Sequence, residues 1–221
     1  EPFRGEKGST WEGGFRVPAL IRWPGVVAPG SVINDIVSHQ DWLPTLLTAA
    51  GEPDINAKLK KGHPAGDKTF KVYIDGFDQS ELLAGKGPGK RENIYYFDDN
   101  ANFNAMRWND WKIHFAFMNQ GWGGPREPLN FPRAIHLRSD PYETSIDSGQ
   151  YARFFADQLW LFVPVQQEVG KWLTTFREFP PRQATASFTI DTIMQQMQQM
   201  LQARAMGAAT GAGAAQPPPA K

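Results

Sequence analysis

The sequence predicts an α/β chain that closes with a small four-stranded antiparallel sheet and packed helices. Three observations carry that reading. Residues 93–97, 104–108 and 111–117 are β-prone runs separated by turn-forming residues. Val165, Val169, Trp172, Leu173 and Phe176 recur at helical spacing. A glycine-rich start, residues 1–16, runs directly into the apolar stretch 17–23.

In chain order, residues 17–23 read as a buried strand stopped by the turn signal Pro24-Gly25. Ser38-His39-Gln40-Asp41 offers caps for a short helix with Pro44 in its first turn and Gly51 at its end. Trp42, Leu43, Leu46 and Leu47 share one side of that helix, which is expected to pack on the sheet. Residues 52–68 are polar and read as a surface loop. Alternation predicts a strand over 69–75, and 77–85 predict a turn or two of helix with a glycine stop.

Asn109-Asp110 is a two-residue hairpin signal, and Asp98-Asp99-Asn100 is a turn that also has the look of a calcium loop. Residues 134–137 add the fourth strand, and 118–133, with Trp122 and Phe131, read as an excursion toward solvent or a ligand. The last third is helical, with Pro164 near the start of one helix and a second apolar stripe from Ile190 to Leu201. Ser187, Thr189 and Asp191 are cap candidates for that stripe. Residues 207–221, mainly Ala, Gly and Pro, predict a disordered tail.

Composition excludes several function classes. With 41% hydrophobic and 21% charged residues, the 221-residue chain is globular. Lys+Arg and Asp+Glu are both 23, so there is no basic field to attract nucleic acid, and no such partner is expected. Cys is 0, which removes disulfides, thiolate metal sites and a cysteine nucleophile. No apolar run approaches the roughly 18 to 20 residues of a membrane span. The first residues have no Met, no basic segment and no apolar leader, as expected of a chain that begins mid-protein.

The best chemical candidate is Lys7, set among Gly5, Gly8, Gly13 and Gly14. A lysine on a tight glycine loop neutralises a sulfate or phosphate oxygen and steadies a departing alkoxide; the alternative is a solvated loop lysine. The spacing is not that of a P-loop. Glu12 and Arg16, four apart, are expected to pair and brace the turn. The 4 histidines, His39, His63, His114 and His136, show no metal-ligand spacing. His39, just before a helix, reads either as a pocket neighbour of Lys7 or as a structural side chain. Ser9 and Ser38 have no identifiable base, and Trp122 either stacks on a flat or sugar-like ligand or anchors its loop. The inventory supplies a charge stabiliser without a nucleophile.

The run Glu6-Lys7-Gly-Ser-Thr-Trp-Glu12-Gly13-Gly14-Phe-Arg16-Val-Pro18, followed by Ile21-Arg-Trp-Pro24-Gly25, resembles the second half of the arylsulfatase family, within the alkaline-phosphatase-like superfamily. Asp41-Trp-Leu-Pro44-Thr45, Asp75-Gly76-Phe-Asp78, Met106-Arg107-Trp108-x-x-Trp111-Lys112, Asp140-Pro141-x-Glu143-Thr144 and Glu178-Phe-Pro180-Pro181-Arg182-Gln183 resemble further stretches in the same order. The resemblance implies that residues 1–68 are the C-terminal edge of a sulfatase catalytic domain and 69–206 its C-terminal subdomain. It implies that Lys7 contacts sulfate, with His39 as a neighbour in substrate binding. It also implies calcium and a formylglycine nucleophile made from Cys/Ser-x-Pro/Ala-x-Arg, with both sets of residues outside this chain. The implied partners are a sulfate ester and the N-terminal half of the catalytic domain, in a bacterial cytoplasm or periplasm. Two functions follow: the C-terminal portion of a sulfuric ester hydrolase, inactive alone, or a non-catalytic module derived from one that recognises ligands through Trp122. A phosphoester or phosphonate hydrolase is a variant of the first.

Overall fold

Trp108 faces Trp111 across a tight turn, and Asn109 within it has φ 52°, a left-handed conformation that asparagine tolerates better than most residues. The computed structural model describes residues 2–180. The turn joins β4 (Phe103–Trp108) to β5 (Trp111–Phe117), and with β3 (Asn93–Phe97) and β6 (Glu127–His136) these form an antiparallel sheet in the order β3-β4-β5-β6. At the β3–β4 turn, Asp98 Oδ1 accepts from the backbone N–H groups of Asn100 and Asn102 at 2.9 Å each. The aspartate closes a hairpin, as one of the two sequence readings expects.

Alternation along β5 sends neighbouring residues to opposite faces. Ile113 joins Met106, Ala134, Leu161 and Val165 on one face; Lys112 and His114 point to the other, also fully buried. The first face is covered by α4 (Tyr151–Asp157), the 3-10 turn Leu159–Leu161 and α5 (Phe162–Glu178). Burying a side chain such as Ile113 stabilises by about 1.5–3 kcal/mol. The second face is covered by the N-terminal loop, where Trp11 packs with Ile135 and Leu137.

Three elements depart from the sequence reading near the sheet. The fourth strand starts at Glu127, not 134, so the excursion is shorter than expected. Pro128 and Pro132 disguised it, and β6 tolerates them because it is an edge strand. Helix α4 falls in the last third, read as helical, but was not singled out there; the Tyr151 hydroxyl fixes it to β6 by donating to Ala134 O at 3.0 Å and accepting from Ala134 N at 2.9 Å. Phe131 packs edge-on against Phe155 and Phe162, so it anchors the helices to β6.

Before the sheet the corrections are larger. Residues 17–23 form no strand: Val17 is 60% exposed and Leu20 fully so. An extended segment becomes a strand only when a neighbour takes its backbone hydrogen bonds, and among the described residues none does. Residues 52–68 are not all loop, since α2 (Ile55–Lys61) buries Ile55 and ends at Gly62. The strand expected over 69–75 shrinks to β2 (Lys68–Phe70), paired with β1 (His63–Ala65). The helix α1 (Trp42–Ala49) buries Pro44 and Thr45 while Leu43 and Leu46 stay exposed. Its main helix neighbours among the described residues are α2 and α3 (Ser80–Leu83).

A buried ion pair explains that polar docking. Arg91 Nη2 lies 2.6 Å from Asp41 Oδ1, and its Nε lies 2.9 Å from Asp41 Oδ2. Asp41 also accepts from the N–H groups of Ser38 and Phe77, at 2.9 and 2.8 Å. Burial pushes the Asp41 carboxyl up, but Arg91 and these N–H groups outweigh it and hold it below the usual range. A side chain on Gly76 would meet Gln40 O at 2.0 Å, so the chain at 75–78 crosses the start of α1 only because that residue is glycine. Ser38 caps the 3-10 turn His39–Asp41 that leads into α1, while Asp41, the N-cap residue of α1 itself, makes no side-chain cap bond; Pro44 lies in the first turn and Gly51 beyond the end has positive φ. Residues 181–183, the stripe from Ile190 to Leu201 with its caps, and the tail 207–221 lie outside the described residues.

Candidate functional site

Lys7 sits on a loop tied to the molecule at both ends. Ser9 N donates to Glu6 O at 2.9 Å and Gly13 N to Arg4 O at 2.7 Å. A Cβ on Gly13 would stand 2.3 Å from Gly5 O, so only glycine lets the two strands of the loop touch. The Arg4 guanidinium lies 3.8 Å over the Trp11 ring and reaches Asp147 at 2.7 Å. Trp11 itself stacks on Phe117 with centroids 5.0 Å apart.

The loop is fastened to the sheet by buried charges. Lys112 Nζ bridges Glu12 Oε1 at 3.0 Å and Glu143 Oε1 at 2.9 Å. Glu12 also accepts from the Tyr96 hydroxyl at 2.8 Å and from Arg16 Nε at 2.6 Å, the expected brace of the turn. Glu12 N donates to Glu143 Oε2 at 2.6 Å. Glu143 takes φ 54°, an uncommon conformation for that residue, and these bonds hold it there.

Burial pushes the Glu12 carboxyl up, yet Lys112, Arg16 and Tyr96 bring it down to about 2. Glu143 is likewise held below the usual range against burial, by His114 and Lys112. His114 is driven the other way by burial, down to about 4. At neutral pH the ring is therefore uncharged: Nε2–H donates to Glu143 Oε1 at 3.3 Å, and Nδ1 has no partner. The network fastens the Lys7 loop to the sheet.

What the loop presents to solvent is Lys7. It is exposed, and its ammonium lies 4.8 Å over the ring of Trp122. Of the loop cations, Arg4 and Arg16 each pair with a carboxylate, while among the described residues no carboxylate pairs with Lys7. His39 is exposed too, opening the 3-10 turn His39–Asp41, and no hydrogen bond or ion pair among the described residues joins it to Lys7. Ser9 is buried without a partner, and Ser38 caps the turn before α1. No group of three or more His, Asp and Glu among the described residues could hold a metal ion. The buried carboxylates beneath the loop, Glu12 and Glu143, are committed to Lys112 and Arg16, so calcium does not fit them.

In the sequence, Lys112 and Glu143 stand out only through the family resemblance. Their role could not be read because Lys112 is 100 and Glu143 131 positions from Glu12.

Residues 1–52 match the sulfatase family model. Human arylsulfatase A is 39% identical over 113 residues, covering 49% of this chain and 19% of that protein. Mouse steryl-sulfatase is 37% identical over 121 residues, covering 53% of this chain and 17% of that protein. The fold agrees: the crystal structure of the PsFucS1 sulfatase from Pseudoalteromonas sp. superposes with a TM-score of 0.66 at 26% identity, over 83% of this chain and 34% of that one. The chain is similar to sulfatases, over residues 1–52 by the family model and over about half of its length by these relatives. The matched part spans about a fifth of each of these two curated relatives. The matched residues 1–52 contain Lys7, the Glu12–Arg16 brace and Asp41, and the sheet that fixes the loop lies beyond them.

Proposed function

We propose that this chain is the C-terminal portion of an arylsulfatase-type sulfuric ester hydrolase, in which Lys7 neutralises the sulfate and the leaving oxygen. The observation that carries the reading is a rigid loop whose outward cation has no carboxylate partner among the described residues, while its neighbours Arg4 and Arg16 do. A preorganised positive charge of that kind stabilises charge that grows in a transition state without reorganising. Within the 221 residues there is no cysteine and no Ser-x-Pro/Ala-x-Arg motif from which formylglycine could be made. The chain alone is therefore inactive, and its partner is the rest of the catalytic domain. Residues 1–68 are the edge of that domain, and 69–206 its C-terminal subdomain. The exposed apolar residues Val17, Leu20, Leu43 and Leu46 are what such a partner would cover. His39 lines the substrate side at most as a neighbour.

Release of 4-nitrophenol from 4-nitrophenyl sulfate tests this. The 221-residue chain gives none above buffer; turnover lost in Lys7→Ala would overturn its inactivity. In a polypeptide that also carries the nucleophile motif, Lys7→Ala lowers kcat by roughly two to three orders of magnitude, as removal of an oxyanion donor does. Unchanged kinetics would remove Lys7 from the reaction.

A further inference from the structure

Trp11 and Trp122 stand on either side of the Lys7 loop and are treated in opposite ways. Trp11 is 2% exposed and Trp122 61%, yet Trp122 is held as closely. A Cβ on Gly8 would meet Trp122 Cδ1 at 2.6 Å and its backbone N at 2.8 Å. A Cβ on Gly121 would meet Lys7 O at 2.9 Å. The two loops are also bonded: Thr10 N donates to Met118 O at 3.3 Å, Met118 N to Thr10 Oγ1 at 3.2 Å, and Trp11 Nε1 to Asn119 Oδ1 at 3.2 Å. At its far end Arg126 Nε donates to Asn104 Oδ1 at 2.7 Å. An indole that merely anchored its loop would be buried, as Trp11 is. This one is fixed in place and left open to solvent beside the unpaired ammonium.

Resting on the sulfate-binding role of Lys7, we infer that Trp122 is a specificity-determining wall for the organic half of the ester, selecting sulfates carried on a ring with a flat apolar face. The Lys7 ammonium lies on the indole, an attraction that restrains it. A sulfate held by that ammonium has its ester oxygen beside Trp122, and the ring bonded to that oxygen lies against the indole. Aryl and sugar rings share the flat face that such a wall rewards. Straight-chain alkyl sulfates lack it.

The test uses the full 221-residue chain labelled with 15N, with the Trp122 indole and Lys7 ammonium signals assigned from Trp122→Phe and Lys7→Gln. The probes are 4-nitrophenyl sulfate, glucose 6-sulfate, dodecyl-free short alkyl sulfate (butyl sulfate), sodium sulfate and 4-nitrophenol. The ring sulfates shift both signals and bind roughly threefold to tenfold more tightly than sodium or butyl sulfate, the scale of one aromatic contact. Trp122→Ala abolishes that preference, Trp122→Phe keeps most of it, and Gly8→Ala, which retains both side chains but forces the loops apart, weakens it. A response to 4-nitrophenyl sulfate alone supports the wall and narrows its ligands to aryl esters; a response to glucose 6-sulfate alone narrows them to sugars. If every sulfate binds alike and Trp122→Ala changes nothing, Lys7 keeps its oxyanion role and the wall is overturned. If 4-nitrophenol shifts Trp122 as strongly as its sulfate, the wall is overturned as well. If no sulfate moves Lys7 or Trp122, the wall is overturned, and the kcat of Lys7→Ala in a polypeptide that also carries the nucleophile motif decides the proposed function separately.

Discussion

Residues 9–16 and residues 17–32 are neighbours in the chain and opposites in the fold. The first stretch carries Ser9, Thr10 and Glu12, and all three are buried. The second carries Val17, Leu20, Ile21 and Val32, and all four are exposed. By transfer energy alone the order should be reversed, since burying a carboxylate without partners is costly and burying leucine is favourable. The difference is the partner. Glu12 meets Lys112, Arg16 and Tyr96, whereas no surface among the described residues comes up against Leu20. Burial follows from what the rest of the chain can bring to a residue, and hydrophobicity decides only when a covering face exists.

The largest effect expected on this comparison comes from Lys112→Met. It leaves Glu12 and Glu143 facing each other without their shared cation, and unfolding at pH 7 should lose about 3–5 kcal/mol, the usual cost of breaking a buried ion pair from one side. Urea titration measures it, and the loss should shrink toward pH 4 as the carboxylates take up protons. A loss under about 1 kcal/mol would mean that the charges do not hold the loop.

Acid titration of the unmodified chain sharpens the same point. His114 binds its proton at about 4 in the fold against 6.5 when free. Between those values the unfolded chain holds the extra proton, so stability rises with pH there and is lost as pH falls from 6.5 to about 4. The gap corresponds to about 3 kcal/mol. Glu12, with a folded value of about 2 against 4.5, adds a second loss as pH falls from 4.5 toward 2. Urea midpoints across pH 3–8 should show both, and His114→Gln should flatten the segment between 6.5 and 4 while leaving the lower one. A slope unchanged in that variant would place the titration elsewhere.

At the small end, Leu20→Ser should alter stability by no more than about 0.5 kcal/mol, as expected for an exposed side chain, and should reduce self-association in sedimentation, because an exposed apolar patch invites it. A loss above about 1 kcal/mol would show that the folded chain covers Leu20 after all, and the contrast with Glu12 would collapse.

The sequence by itself determined what rests on short spacing. The Asn109-Asp110 hairpin, the Ser38 cap of the turn leading into α1, the helix through Val165 and Trp172, and the Glu12–Arg16 pair each depend on residues a few positions apart, whose geometry the backbone dictates. The exposed position of Lys7 among glycines was legible in the same way. The tertiary structure alone decided the rest. It turned the run 17–23 from a strand into an open segment, since a strand needs a partner that periodicity cannot supply. It started β6 at Glu127 despite two prolines, since an edge position is a property of the sheet. It gathered Glu12, Tyr96, Lys112, His114 and Glu143 into one buried network, and it set Trp122 beside Lys7. Each of those contacts joins positions far apart in the chain, and the energies that select them come from desolvation and charge pairing, which no local window of sequence contains.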